Sequence, residues 1–364
     1  MNRSPHLSPP GSSSHRAGTL GTRRRVSLGA PALAVLATGV LVAACAGTGG
    51  SGPGHAAAPS SPASGSAAPR PSPPQRLPVG KLGRYAVAEQ SLTIVDQSRP
   101  SLGPRVIPTV VRYPVIPAAA ASDTLARGLF PLLVFAPGYR QCDRVYRILL
   151  REWASAGFVV AAVEFPRTNC HVSAPDESDL VNQPGDVAAV IRQLVAISGR
   201  QRGALAGLVN PAEIGVAGHS DGGDTVAAVA ANTCCRDHRV AAAVVLAGAE
   251  WAPMPGRYFA RPAPPMLFVQ GTDDTWNPPP ASMQLYRADT AGPRYYLDLF
   301  GVGHFTPYEG GGAPEPVVAR VTTDFLDRYL VGQRPGAAAM RRAGRVPGVA
   351  AVVSGGRLPG QDRR

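Results

Sequence analysis

Ser220, Asp274 and His304 are a nucleophile, an acid and a base, and each follows a short apolar run of strand character. Ser220 lies within Gly218-His219-Ser220-Asp221-Gly222. The run Ile214-Gly215-Val216-Ala217 before it reads as a buried strand, and Asp224 to Ala230 after it has helical character. A serine at such a junction occupies a strained turn, and glycines on either side let the helix pass close to the strand. Its hydroxyl then faces a substrate, with the helix N-terminus beneath it. The pentapeptide alone is only moderately specific in a chain this rich in Gly and Ser.

The segments that follow supply the missing roles. A serine hydroxyl is a poor nucleophile until a base removes its proton, and the base needs a third group to orient it. The strand Pro265 to Gln270 runs into Gly271-Thr272-Asp273-Asp274-Thr275-Trp276-Asn277-Pro278, and the strand Tyr295 to Phe300 runs into Gly301-Val302-Gly303-His304-Phe305. An acid after one strand and a histidine after the next give the order Ser, Asp, His, which is that of the α/β-hydrolase fold. Asp274, four residues before Pro278, is preferred as the acid; Asp273 is the rival, and Glu250 a more distant substitute. Either aspartate could instead cap the helix that follows. His219 reads as a packed residue, and His171 and His238 lack metal-ligand spacing with each other or with cysteine.

Charge developing on a substrate oxygen needs preorganised N–H donors. One is the amide after the nucleophile, that of Asp221. The other is assigned to Tyr139, in the Pro137-Gly138-Tyr139 loop after the strand Leu132 to Ala136. The Tyr139 ring is also a candidate wall of the acyl site.

Ala136-Pro137-Gly138-Tyr139, Trp153-Ala154-Ser155-Ala156-Gly157-Phe158-Val159-Val160 and the serine elbow together resemble the bacterial cutinase and polyester-hydrolase group. They also resemble the platelet-activating-factor acetylhydrolase and dienelactone-hydrolase-like esterases, to which Val110-Val111-Arg112-Tyr113-Pro114 is similar. The resemblance covers roughly residues 84–332. It implies triad roles for Ser220, Asp274 and His304, and oxyanion roles for Tyr139 and Asp221. Trp251 falls where polyester hydrolases place a substrate-facing tryptophan, and Trp276 is a second candidate for substrate contact. One departure stands out: those enzymes usually carry methionine after the nucleophile, where this chain has Asp221. A carboxylate there disfavours anionic substrates and removes a soft apolar contact, which argues against aromatic polyesters and leaves ester hydrolysis intact.

Stepping along residues 81–332, continuous Val/Ile/Leu/Ala runs alternate with helical ones after two opening strands near Tyr85–Val95 and Arg105–Val115. This pattern predicts one α/β domain with a mostly parallel central sheet covered by helices on both faces. Sites in such sheets gather at the strand C-terminal ends. Ala247 to Ala263 leaves too little chain for a large helical lid, so an exposed cleft is expected.

The ends predict an address. Residues 1–25 carry five arginines and no acid, and the apolar stretch Val26–Ala44 ends in Leu41-Val42-Ala43-Ala44-Cys45. This describes an export signal over residues 1–44, with Cys45 resembling a lipidated lipobox cysteine. The run Arg23-Arg24-Arg25 permits a twin-arginine route. Residues 45–80, rich in Gly, Ser, Pro and Ala, read as a disordered tether, and residues 333–364 as a disordered basic tail. Leader and tail carry +5 and +6 of the formal net charge of +12, so the segment between them is nearly neutral. That excludes the nucleic-acid reading that a basic chain would otherwise invite. Cys142, Cys170, Cys234 and Cys235 remain after Cys45 is set aside; Cys142 with Cys170 is the favoured pairing, leaving Cys234-Cys235 as a vicinal pair or free.

The expected protein is an exported monomeric serine hydrolase of carboxylic esters, lipid-anchored or secreted, acting on a small-molecule, lipid or polymer ester. No cofactor or metal is expected. A serine peptidase of prolyl-peptidase type shares the triad order but usually brings a gating domain for which there is no room. A non-catalytic hydrolase-fold surface lipoprotein would have no reason to keep all three groups.

Overall fold

The computed structural model describes residues 77–116, 129–333 and 336–355. The export signal, Cys45 and nearly all of the tether lie outside these residues. Among them, no helix is long and apolar enough to cross a membrane.

Two strands open the domain, β1 (Val87–Asp96) and β2 (Arg105–Pro114), paired antiparallel. Next come β3 (Phe130–Ala136), α1 (Arg147–Ser155), β4 (Val159–Val163), α2 (Gln183–Ser198), β5 (Val209–His219) and α3 (Asp221–Ala231). The second half holds β6 (Val240–Leu246), β7 (Met266–Gly271), α4 (Pro279–Ala288), β8 (Arg294–Leu299), α5 (Thr306–Glu309), α6 (Pro314–Leu326), α7 (Gly336–Ala343) and β9 (Ala350–Ser354). Together the strands form one sheet in the order β1-β2-β4-β3-β5-β6-β7-β8-β9, parallel from β4 through β8. Every residue of β3, β4 and β7 is buried. Strands buried on both faces need apolar side chains at every position, which is why these segments read as continuous runs without alternation. Helix α1 packs with α6, where Trp153 Nε1 donates to Thr322 Oγ1 at 2.8 Å, and α2 packs with α3.

β5 is longer than the apolar run suggests. Val209 and Asn210 pair with Phe130 and Pro131, and the register then shifts before Ile214 joins Leu132. The polar Asn210-Pro211-Ala212-Glu213 stretch sits at this irregularity, which is what a bulge admits.

Two boundaries differ from expectation. The packed unit begins before residue 81: Val79 is buried, and Gly80 N–H donates to Ala156 O at 2.8 Å. The tail expected to be disordered instead supplies α7 and β9, with β9 antiparallel to β8 as the last strand of the sheet. Met340, Ala350, Val352 and Val353 are buried there. The arginines of this segment obscure two apolar stripes that bury against α6 and β8, and average charge is blind to such periodicity.

A buried ionic cluster ties β2 to α2. Arg105 binds Asp179 through two bonds of 2.9 and 2.7 Å, and Asp186 through bonds of 2.7 and 2.6 Å. Arg99 adds a further contact to Asp186. Burial pushes the Asp186 carboxyl up, against the pull of Arg105 and Arg99. Removing the central cation leaves the buried Asp179 without its counter-charge and Asp186 with Arg99 alone, a larger loss than the net worth of the cluster. Arg105→Met should therefore cost about 3–5 kcal/mol of unfolding free energy in urea titrations; a loss under about 1 kcal/mol would show that the cluster does not anchor this edge.

Candidate active site

The sharp turn between β5 and α3 presents Ser220. Its backbone adopts φ 55° and ψ −126°, a region that side-chain-bearing residues rarely enter. The flanking glycines make it possible. A methyl group on Gly218 would overlap the Gly222 carbonyl, and one on Gly222 would overlap the Ala136 carbonyl of β3. Helix α3 thus crosses the sheet at backbone contact distance, and only glycine fits there.

The loop after β8 brings His304 to this turn. Its Nε2 lies 2.9 Å from Ser220 Oγ, and its Nδ1 lies 2.8 Å from Asp274 Oδ2 in the loop after β7. A carboxylate only accepts, so Nδ1 carries the proton and Nε2 is left as the acceptor facing the serine hydroxyl. Asp274 is itself fully oriented. Oδ1 accepts the N–H groups of Trp276 and Asn277, both at 2.9 Å, and Oδ2 also accepts Gln270 Nε2 at 2.9 Å. Burial pushes the Asp274 pKa up, but the bond to His304, its charge and the Asn277 and Gln270 donors outweigh it and hold the carboxyl below its ordinary value. Asp273 is exposed and accepts only from Thr272 Oγ1 among the described residues. Glu250 accepts from Gln284 and takes no part in this cluster.

The loop after β3 is pinned on both sides of Tyr139. Gly138 N–H donates to Tyr146 Oη at 3.2 Å, and Arg140 N–H donates to Thr168 O at 2.7 Å. No acceptor for the Tyr139 N–H lies among the described residues, so this amide is free for an incoming oxygen. The Tyr139 hydroxyl donates to Pro175 O at 3.1 Å, and the disulfide Cys142–Cys170 joins the same two loops. Cys234 and Cys235 form the vicinal disulfide that was one of two options. His171 lies beside the Cys142–Cys170 sulfurs, but sulfurs bonded to each other are not thiolate ligands for a metal.

Among the candidate substrate contacts, Trp276 is 72% exposed and stacks on the His304 ring at 6.3 Å and 24°. Phe305 packs edge-on against both rings. Trp251 is half-buried in the connection after β6 and is not among the rings grouped around His304. Residues 247–265 contain no helix, so nothing of lid size covers this edge between β6 and β7.

Several supporting residues carry no local sequence signal. Gln270 ends an otherwise apolar strand, and that lone amide was the one visible hint of its role. Asn277 Nδ2 donates to Ala247 O at 2.6 Å, and Thr225 and Thr168 are joined through Gln183 at 2.6 and 3.0 Å. Partners of this kind are set by the fold alone.

Asp221 is largely buried, and its Oδ2 has no hydrogen-bond partner. Burial, then the charge of Glu177, push its pKa up to about 6 against the opposing pull of His304. A carboxyl raised from 3.8 to about 6 in the folded state loses stability as pH climbs through that window, with the full cost present above it. Asp221→Asn should therefore raise Tm above pH 6 and leave it unchanged below about pH 3, under both pKa values. A negative charge here would oppose any anion that formed at the adjacent amide.

Residues 119–334 match the family described as PET hydrolase-like. No curated protein matches the chain. The family match takes in the Tyr139 loop, the Ser220 elbow and the loops bearing Asp274 and His304, and the fold is that of an α/β-hydrolase. Spanning more than half of the sequence, it establishes that the chain belongs to the PET hydrolase-like family.

Proposed function

We propose that this protein is a serine hydrolase that cleaves carboxylic esters, including bulky or polymeric ones, through an acyl-serine intermediate. The observation that carries this reading is the His304 ring, hydrogen-bonded to Ser220 Oγ on one nitrogen and to Asp274 on the other. Family membership and the exposed Trp276 ring stacked on His304 support the ester class.

In this reading Ser220 Oγ attacks the ester carbonyl carbon while its proton passes to His304 Nε2. Asp274 holds the ring and stabilises the imidazolium. The N–H groups of Tyr139 and Asp221 receive the negative carbonyl oxygen. Collapse breaks the bond to the alcohol, which leaves with the proton from His304. A water deprotonated by the same nitrogen then attacks the acyl group and releases the acid with Ser220 restored. Tyr139, Trp276 and Trp251 are the proposed substrate contacts. Asp221 directs this chemistry toward neutral esters and away from anionic ones.

Ser220→Ala should abolish turnover of p-nitrophenyl esters, by roughly 10⁴-fold or more, and retain the wild-type Tm. Labelling by a fluorophosphonate should vanish with it. A panel of esters of graded chain length, a phospholipid, a polyester film and a peptide should give turnover of esters and none of the peptide. Activity near wild type in Ser220→Ala, or peptide cleavage instead of ester cleavage, would overturn the reading.

The address is proposed with the activity: export on the signal of residues 1–44, and anchoring by lipid on Cys45. Metabolic labelling with a palmitate analogue in a bacterial host should mark the wild type and not Cys45→Ala. Equal release of both forms into the medium would instead make it a secreted enzyme.

A further inference from the structure

His219, beside the nucleophile, points away from the substrate side and is completely buried. Its Nδ1 lies 2.8 Å from Tyr146 Oη, and its Nε2 lies 2.9 Å from the backbone carbonyl oxygen of His304. The rings of His304 and Tyr308 enclose it at 4.7 Å, with Tyr146 at 5.6 Å and Phe305 at 6.1 Å. Burial, then the neighbouring His304, hold its pKa down at about 3, so the ring is neutral at any working pH.

Neutrality fixes every proton in this chain of contacts. The His304 carbonyl can only accept, so His219 Nε2 carries the hydrogen and donates it. His219 Nδ1 is then an acceptor, and the Tyr146 hydroxyl must donate to it. The Tyr146 oxygen is left to accept, and the Gly138 N–H is aimed at it from 3.2 Å. The direction is set from end to end: Gly138 N–H to Tyr146, Tyr146 O–H to His219, His219 N–H to the His304 carbonyl. All of its members are buried, where an unmade hydrogen bond carries the full desolvation cost.

The two ends of this chain are the backbones of the residues that most need fixing. Gly138 immediately precedes the Tyr139 amide, and His304 is the base. The middle, His219, is bonded through the backbone to Ser220. We infer that Tyr146 and His219 are positioning residues that clamp the oxyanion loop, the nucleophile elbow and the histidine loop into one unit, so that donor, nucleophile and base keep a common geometry. The inference rests on the proposed roles of Ser220, His304 and Tyr139, and it concerns alignment, with no contact to substrate. An error of about 1 Å in such alignment can cost on the order of a hundredfold in rate, so a buried device that removes this freedom has a direct catalytic return.

Two variants test the clamp. Tyr146→Phe keeps the ring and deletes the link; His219→Gln offers an N–H toward the His304 carbonyl and loses the acceptor for Tyr146. Each should lower kcat by on the order of tenfold at a KM within about twofold of wild type, assayed at a temperature where circular dichroism shows full folding. Because the two act through one chain, the double variant should also fall by on the order of tenfold, well short of the hundredfold product of independent effects. Wild-type kcat in Tyr146→Phe, or losses that multiply, would overturn the clamp. A measurement on the unaltered protein stands apart from folding of any variant and from catalysis: ¹⁵N spectra of labelled histidine should show one neutral ring protonated on Nε2 between pH 5 and 8, lost on His219→Gln or, if that variant does not fold, assigned through its coupling to the His304 carbonyl. A charged ring or the Nδ1 tautomer sinks the inference. An ester-inactive wild type with the Nε2 tautomer present would instead refute the proposed activity and leave the hydrogen-bond chain standing.

Discussion

The left-handed backbone of Ser220 is the constraint on which the rest of the site depends. A turn this tight exists only where β5 and α3 approach at backbone distance, and that approach in turn fixes where β3 can end. Because Gly222 lies against the Ala136 carbonyl, the loop that leaves β3 begins beside the serine. The Tyr139 loop and Ser220 are neighbours for a steric reason before any electrostatic one operates. Strain at Ser220 is held by a parallel strand on either side of β5 and by the Asp224 N–H bond back to Ser220 O at 3.0 Å.

Around that turn the polar groups divide into charged and neutral layers. Asp274 accepts four hydrogen bonds and so keeps its charge in a buried position. His219, one ring behind His304, has only neutral partners and stays uncharged. A second imidazolium there would lie 4.7 Å from the catalytic ring and would resist its protonation during the reaction. Placing a neutral, fully bonded histidine in that position gives structural rigidity without an electrostatic penalty on the base. The Cys142–Cys170 disulfide and the Tyr139–Pro175 bond perform a similar fixing role on the outer side of the oxyanion loop.

Much of this was legible in the sequence because an α/β sheet writes its site at strand ends. Ser220, Asp274, His304 and Tyr139 each follow an apolar run, and a run followed by Gly and a polar residue is a local pattern. Whatever joins two distant segments left no such trace. Tyr146 and the Arg105 cluster meet their partners across the fold, and nothing beside them in sequence announces it. His219 reads as packed, and it is; its two nitrogens bridge the histidine loop to Tyr146 through partners far away in sequence. The tail failed for another reason. Composition counts arginines, whereas β9 forms because Val352 and Val353 can cover an edge that β8 would otherwise leave unpaired.

In the proposed reaction the substrate preference would turn on Asp221, whose carboxylate adjoins one of the two proposed oxyanion donors. A negative charge there works against the charge that the reaction must build on the carbonyl oxygen, so its presence calls for a physical account. Burial supplies part of one, because a carboxyl held near pKa 6 is neutral over a wider range than an exposed aspartate. The remainder lies in selection among substrates. In the proposed reaction an anionic ester would be repelled by the charges of Asp221 and Glu177, and a neutral ester would not. Ionised end groups of a partly degraded polyester would be disfavoured at this cleft, and uncharged internal esters would be cut first. In the proposed mechanism the titratable Asp221 would couple the choice of ester to pH through a residue whose side chain takes no part in the Ser220–His304–Asp274 hydrogen bonds.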